Sequence, residues 1–365
     1  MGPSEGPPGG DHPFIVPLAN RLRTCTCGGS TDTLGPMPQA ALRASTAVFL
    51  VGLVCFAAPC RAQQRFETVG ERALGMAGAF VAVADDPTAA HWNPAGLVQG
   101  GPAAMTIGWR RSQSGNQKAF PYPGPDQQAD GFTALGTWPV GVSYGRFRTT
   151  SLVGGPADQL RVESFETTEY NVTLLQSLLD GLVVGTTLKY VRGSVTSGPV
   201  TGSTVDAALE AGAELSASAR NAFDLDMGLM YDAGKVRVGF TWKNLMEPKF
   251  GEIPTNDTTL QRQPRIGLAV LPTTGLTFAL DLDLDTVDLR GGLRRMIAVG
   301  GETHLGGRVS ARSGIRWNLE AVGHQPVVAV GLSVRMHGSF WLDGHWAQGR
   351  AVEDREYGVA MRAGF

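Results

Sequence analysis

The chain has 365 residues, 42% of them hydrophobic and only 18% charged, with a formal net charge of -2. A balance this close to neutral lacks the basic field that nucleic acid requires, so DNA and RNA are excluded as partners. Glycine numbers 49 and the aromatic share is 8%, a mixture that suits many strands joined by turns better than a bundle of helices.

Residues 1–36 are rich in Gly, Pro, Ser and Thr. Such a composition cannot bury a core, and the segment is read as a disordered extension upstream of the functional start. Met37 to Arg43 supplies a basic start, and Ala47 to Ala58 an apolar run, which together predict a signal peptide over 37–62. The run is too short to cross a bilayer as a helix. Cys60-Arg61-Ala62 offers small residues at the two positions a signal peptidase reads, so cleavage is expected after Ala62, leaving Gln63 first. Pro59 stands where a lipoprotein signal at Cys60 would want a small residue. All four cysteines (Cys25, Cys27, Cys55, Cys60) precede the expected cut. Cys25-Thr26-Cys27 has no second ligand pair to complete a metal site.

Gly70 to Ala84 is dominated by small residues and shows no period of two, so it makes a poor barrel strand. Asp85-Asp86-Pro87-Thr88 predicts the start of a helical turn with Asp86 as cap and Pro87 at its first position, and Asn93-Pro94 ends it. Small residues allow close backbone packing, as a plug inside a barrel requires. Residues 63–102 are therefore expected to form an N-terminal luminal hatch.

Beyond residue 62 no apolar run approaches the roughly 20 residues of a membrane helix, so membrane insertion demands a closed barrel. Val236, Val238, Phe240 and Trp242 alternate with Arg237, Gly239, Thr241 and Lys243, and Leu276 to Leu284 alternate with Thr277, Ala279, Asp281, Asp283 and Asp285. Strands are predicted at 103–112, 130–138, 141–149, 163–179, 182–194, 217–232, 236–245, 264–271, 276–285, 296–304, 308–318, 327–336, 339–347 and 356–365. Tight links such as Asp180-Gly181 and His337-Gly338 take turns with long ones such as 195–216 and 246–263. Outer-membrane barrels sort their connections in this way, with short periplasmic turns, long external loops and an even strand count, whereas a soluble sandwich has no reason to. The expected fold is all-β, a transmembrane antiparallel β-barrel of about fourteen strands over 103–365, in a Gram-negative type outer membrane. Trp109, Trp138, Tyr144, Tyr190, Trp242, Trp317 and Trp346 near strand ends fit interfacial girdles.

The stretch Arg72 to Leu97, RALGMAGAFVAVADDPTAAHWNPAGL, resembles the N-terminal signature of the FadL-like outer-membrane superfamily, which includes long-chain fatty acid transporters, PorV-like secretion components and barrels named for conjugal transfer. Gly75-Met76 and Trp92 are of the PorV-like and conjugal-transfer flavour. The resemblance implies a hatch and ligand pathway built on Gly75, Gly78, Asp85, Asp86, Asn93, Pro94, Ala95 and Gly96. It implies either passage of small hydrophobic, fatty-acid-like molecules or a secretion-associated role holding a protein partner. Phe365, a terminal aromatic after alternating apolar residues, resembles the signal read by the barrel-assembly machinery. Outer-membrane lipid completes the expected partners.

Asp281, Asp283 and Asp285 share one strand face, but i and i+2 residues lie roughly 7 Å apart, awkward for a single cation. They are expected to pair with inward cations such as Arg237, Arg308, Arg312 and Arg316. His91, His304, His324, His337 and His345 form no HExxH pair, and neither a phosphate loop nor a GxSxG elbow is present. No metal, cofactor or enzymatic activity is expected. Water or polar groups are expected to fill much of the lumen, with a greasy pocket near its outer end drawn from Phe120, Tyr122, Phe250 and Leu260.

Overall fold

The computed structural model describes residues 64–114, 126–154, 160–199, 204–215, 218–250, 258–289, 292–320, 326–349 and 354–365. The proposed leader, Cys25, Cys27, Cys55, Cys60, Phe120, Tyr122 and His324 lie outside them. In chain order come helices α1 (Glu71–Gly75) and α2 (Ala89–Trp92), a 3-10 helix (Pro94–Gln99), then β1 (Ala103–Ser114), β2 (Asp126–Thr137), β3 (Val140–Gly154), β4 (Leu160–Leu179) and β5 (Leu182–Pro199). Helix α3 (Val205–Ala213) precedes β6 (Arg220–Asp232), β7 (Val236–Lys243), β8 (Lys249–Phe250), β9 (Thr258–Thr259), β10 (Gln263–Thr273) and β11 (Leu276–Asp283). The chain ends with β12 (Val287–Leu289), β13 (Gly292–Arg294), β14 (Met296–Leu305), β15 (Val309–Asn318), β16 (Pro326–His337), β17 (Phe340–Gln348) and β18 (Arg355–Gly364).

Fourteen of these strands close a barrel in which every strand pairs antiparallel with its neighbours in sequence, and β18 returns to pair with β1. Each of the fourteen strands read from the sequence is present. The short pairs β8–β9 and β12–β13 are hairpins within long connections. Helix α3 is an addition within the long link after β5, and β4 and β5 extend beyond the positions expected of them.

The barrel is inverted relative to a soluble protein. On β11, Phe278 and Leu280 are exposed while Asp281 and Asp283 are buried, and on β7, Val236 and Val238 are exposed while Thr241 and Lys243 are buried. Around the circumference the outward side chains form an apolar belt, the surface a bilayer covers. Closure leaves no unpaired edge strand, which a membrane would penalise. Among the described residues no helix is long and apolar enough to cross a membrane.

The candidate site: a plug seated on glycine

Residues 64–100 pack inside the barrel, and their small side chains form its main apolar core with Phe66, Leu74, Met76, Phe80, Val83 and Trp92. Polar groups were expected to fill much of the lumen, and buried charged side chains such as Arg110, Lys189, Arg265, Glu302 and Glu356 do surround this apolar core. From Glu71 to Leu97 the segment makes one circuit of the inner wall. Glu71 lies against β1 and β18, Gly75 against β16, Met76 against β14 and β15, Val81 and Ala82 against β7 and β10, Asn93 to Ala95 against β5 and β6, and Leu97 against β2 and β3.

In each of these sectors the wall residue met is a glycine. A methyl group on Gly239 would stand 2.5 Å from the Val81 carbonyl oxygen, and one on Gly331 would stand 3.0 Å from the Cα of Gly75. Glycine is required where two backbones approach this closely. Alternation placed Gly239 on the polar strand face, but a single strand does not reveal that such positions line up around a ring.

The residues singled out from the sequence come together in this circuit. Gly75 meets Gly331, and Gly78 takes a left-handed φ of 88° beside Glu67 and Trp92. Asp86 Oδ1 accepts from the Thr88 backbone N–H (2.8 Å) and its hydroxyl (2.5 Å), while α2 itself begins at Ala89 with Thr88 at its cap, two residues later than the Asp86 cap and Pro87 start expected of it. Asn93 ends α2 in an extended conformation; its amide nitrogen donates to Val81 O (2.9 Å) and Leu229 O (3.1 Å), and its oxygen accepts from the Ala95 N–H. It thereby ties plug to plug and plug to wall. Pro94 and Ala95 sit against Gly185, and Gly96 packs on the Ala84 carbonyl.

Charged residues absent from the sequence-based set hold the plug in place. Arg72 donates to Glu302 through Nε (2.9 Å) and Nη2 (2.5 Å), while its Nη1 meets Asp85 and Asp86. Arg312 Nε also donates to Glu302, at 2.8 Å. Glu67 accepts from Arg265 (2.5 Å) and from Arg294, and the Arg265 guanidinium lies 3.9 Å from the Phe66 ring centroid. Burial alone would raise the Glu67 carboxyl, but Arg294, Arg265 and Arg316 outweigh it and hold it well below the usual range. His91 Nε2 lies 3.0 Å from Phe66 O, and Lys243 Nζ is 3.1 Å from Nδ1. Burial, then the Lys243 charge, holds His91 well below its ordinary value, which fits a neutral ring accepting from the ammonium. Burial pushes Glu71 up to about 8; its own backbone N–H opposes the shift, and Asp343 adds to it.

Two expectations are corrected. Asp281 accepts the Phe80 and Val81 N–H groups (2.9 Å each), Asp283 pairs with Arg265 (2.6 Å), and exposed Asp285 caps the Thr286 N–H. The cations named for them go elsewhere: Arg237 pairs with Asp232, Arg312 with Glu302, Arg316 with Glu356, and Arg308 is exposed. Register decides this, because Arg265 lies directly opposite Asp283. Phe250, on β8 itself, and Leu260, just after β9, are fully buried against Phe165 and Val191, so they form a packed satellite core and not an open pocket. Phe365 projects 71% exposed, and its N–H donates to Ala103 O (2.8 Å) at the β1–β18 seam. Among the described residues no group of three or more His, Cys, Asp or Glu could hold a metal.

Between the plug and the short-turn mouth a cavity of about 310 Å³ remains, lined by Asp85, Asp86, Pro87, Arg335, Trp341 and Arg362 among others. Against solved structures, the barrel matches the CymD monoaromatic hydrocarbon channel over 82% of this chain and 97% of that one, with a TM-score of 0.55 and 14% identity. The fold is FadL-like. A Pseudomonas aeruginosa FadL homologue matches over 83% and 99%, with a TM-score of 0.54 and 11% identity. The Pseudomonas putida toluene transporter TodX matches over 83% and 98%, with a TM-score of 0.51 and 13% identity. By sequence, residues 158–284 match the family model described as F plasmid transfer operon, TraF, protein. Comparison with curated proteins gives no match.

Proposed function

We propose that this protein is an outer-membrane channel admitting small hydrophobic molecules, closed at rest by the plug of residues 64–100. The observation that carries the reading is the circuit of the plug. Side-chain hydrogen bonds, ion pairs and glycine contacts hold it, and it is continuous with the wall only through its C-terminal end. Such a body can shift as a unit while the strand ladder stays intact. The solved structures of the same fold are described as a monoaromatic hydrocarbon channel, a toluene transporter and a FadL homologue, which supports this cargo class. Export by a cleaved leader over 37–62 and assembly through Phe365 belong to the same reading.

Cells expressing the chain should take up labelled toluene or a labelled long-chain fatty acid faster than vector cells, and substituting Asn93 and Gly96 by Ala should change that rate. Equal uptake by expressing and vector cells would overturn the proposal. A second reading, a secretion or conjugation component that holds a protein partner, is favoured by the family model over 158–284. It expects a stoichiometric protein to be captured with the barrel from detergent extracts, where a channel should come out alone.

A further inference from the structure

The apolar belt ends, toward the long connections, in an ordered aromatic row. Tyr144, Tyr170, Tyr190 and Phe223 stand opposite one another on β3, β4, β5 and β6. Their successive ring centroids are 5.3, 6.3 and 5.5 Å apart, and all four side chains are exposed. On the other side of the row, the outward residues Val142, Val172 and Leu188 are apolar and exposed. Tyrosine rings with one wet and one greasy end mark the level where hydrocarbon gives way to headgroups.

Two residues further outward on the same faces, roughly 7 Å along the strands, come Arg146 on β3 and Arg192 on β5, with Thr168 of β4 directly between them in register. One step beyond, Arg148 stands opposite Glu166. Arg146 Nε reaches Glu166 at 2.8 Å and Arg148 Nε at 2.6 Å, so one carboxylate serves two guanidiniums. Arg192 is exposed and makes no ion pair among the described residues. Three guanidiniums thus face one carboxylate immediately beyond the aromatic row. Further out, the same wall is covered: Ala208 and Leu209 of α3 pack on Leu152 and Val162, whose register places them on the outward face. Tyrosines below and the helix above bound a cationic shelf.

We infer that this shelf, Arg146, Arg148 and Arg192 above Tyr144, Tyr170 and Tyr190, binds the phosphate of an outer-leaflet glycolipid of the lipid A class. The guanidinium is the group suited to it, because its planar fork meets phosphate oxygens in pairs and holds its charge at any relevant pH. The belt beneath is covered by acyl chains, so a phosphate on the same lipid arrives at this height without further ordering. The inference rests on the outer-membrane orientation proposed above.

The test uses the full chain purified in detergent and titrated with bisphosphorylated lipid A or its dephosphorylated form, counting retained lipid by native mass spectrometry. The wild type should retain the phosphorylated lipid. Arg146→Gln, Arg148→Gln and Arg192→Gln together should weaken retention by about fivefold for each guanidinium removed, with heat-modifiable barrel unchanged. Arg192→Gln alone breaks no ion pair and reads the effect if the triple variant fails to assemble. Equal retention by the Arg192→Gln variant, or equal retention of the dephosphorylated lipid, would overturn the site. Density fractionation of membranes separates the two claims, since a barrel found with the inner membrane sinks the localisation, whereas equal retention by an outer-membrane barrel sinks the shelf alone.

Discussion

In the wall, each strand finds partners for its backbone groups in two neighbours, and the barrel closes so that none is left over. In the plug, helices of five and four residues and a six-residue 3-10 turn satisfy only part of the backbone, and side chains, some of them sent in by the wall, take up other groups. Asp281 takes the Phe80 and Val81 N–H groups, and Asn93 binds carbonyls of both plug and wall. The wall's stability is spread over a ladder of many similar bonds. The plug's is concentrated in a few buried ion pairs and close contacts, so single substitutions should loosen it while leaving the barrel standing.

Arg72→Ala should have the largest effect. It leaves Glu302 with Arg312 alone and takes from Asp85 and Asp86 their ion-pair partner, and removing one partner of a buried pair costs about 3–5 kcal/mol. Protease added to purified barrel should then cut within 64–100 while heat-modifiable barrel persists; an uncut plug would show that the pair holds nothing. Gly239→Val should come next, at roughly 1–3 kcal/mol from overpacking, read as faster hydrogen exchange at the Val81 and Ala82 amides. Leu280→Ala on the outward face is its control and should leave that exchange unchanged.

A separate effect should appear in pH dependence. Glu71 binds its proton more tightly in the folded state, at about 8 against 4.5. Between those values the native state holds more protons than the unfolded one, so this group's contribution to stability falls as pH rises from about 4.5 to about 8. Glu71→Gln should flatten thermal stability across that window, and an unchanged slope would place the titration elsewhere.

The wall was legible in the sequence because a period of two survives wherever one face meets lipid and the other does not. Val236 to Lys243 shows the pattern without help from any other segment. The plug was legible in part. Its small residues and Asn93-Pro94 stood out locally, although its helix begins two residues later than Asp86-Pro87 indicated. Its partners did not stand out, because Arg72–Glu302 joins residues 230 apart and depends on β14 lying where the circuit passes. The same reason misdirected Asp283, whose cation Arg265 is its neighbour only once β10 and β11 are in register. Phe250 and Leu260 read as a greasy pocket because hydrophobicity in a loop does not say whether a two-stranded hairpin will form there and pack it away.

Glu71, at the start of the plug, touches the seam from inside. Its carboxylate oxygens lie where side chains on Gly108 of β1 and Gly358 of β18 would be, and those two strands are the first and last to be made. The first turn of the plug therefore lines the join where the ring closes, and the barrel is a hoop whose seam rests against its own spindle.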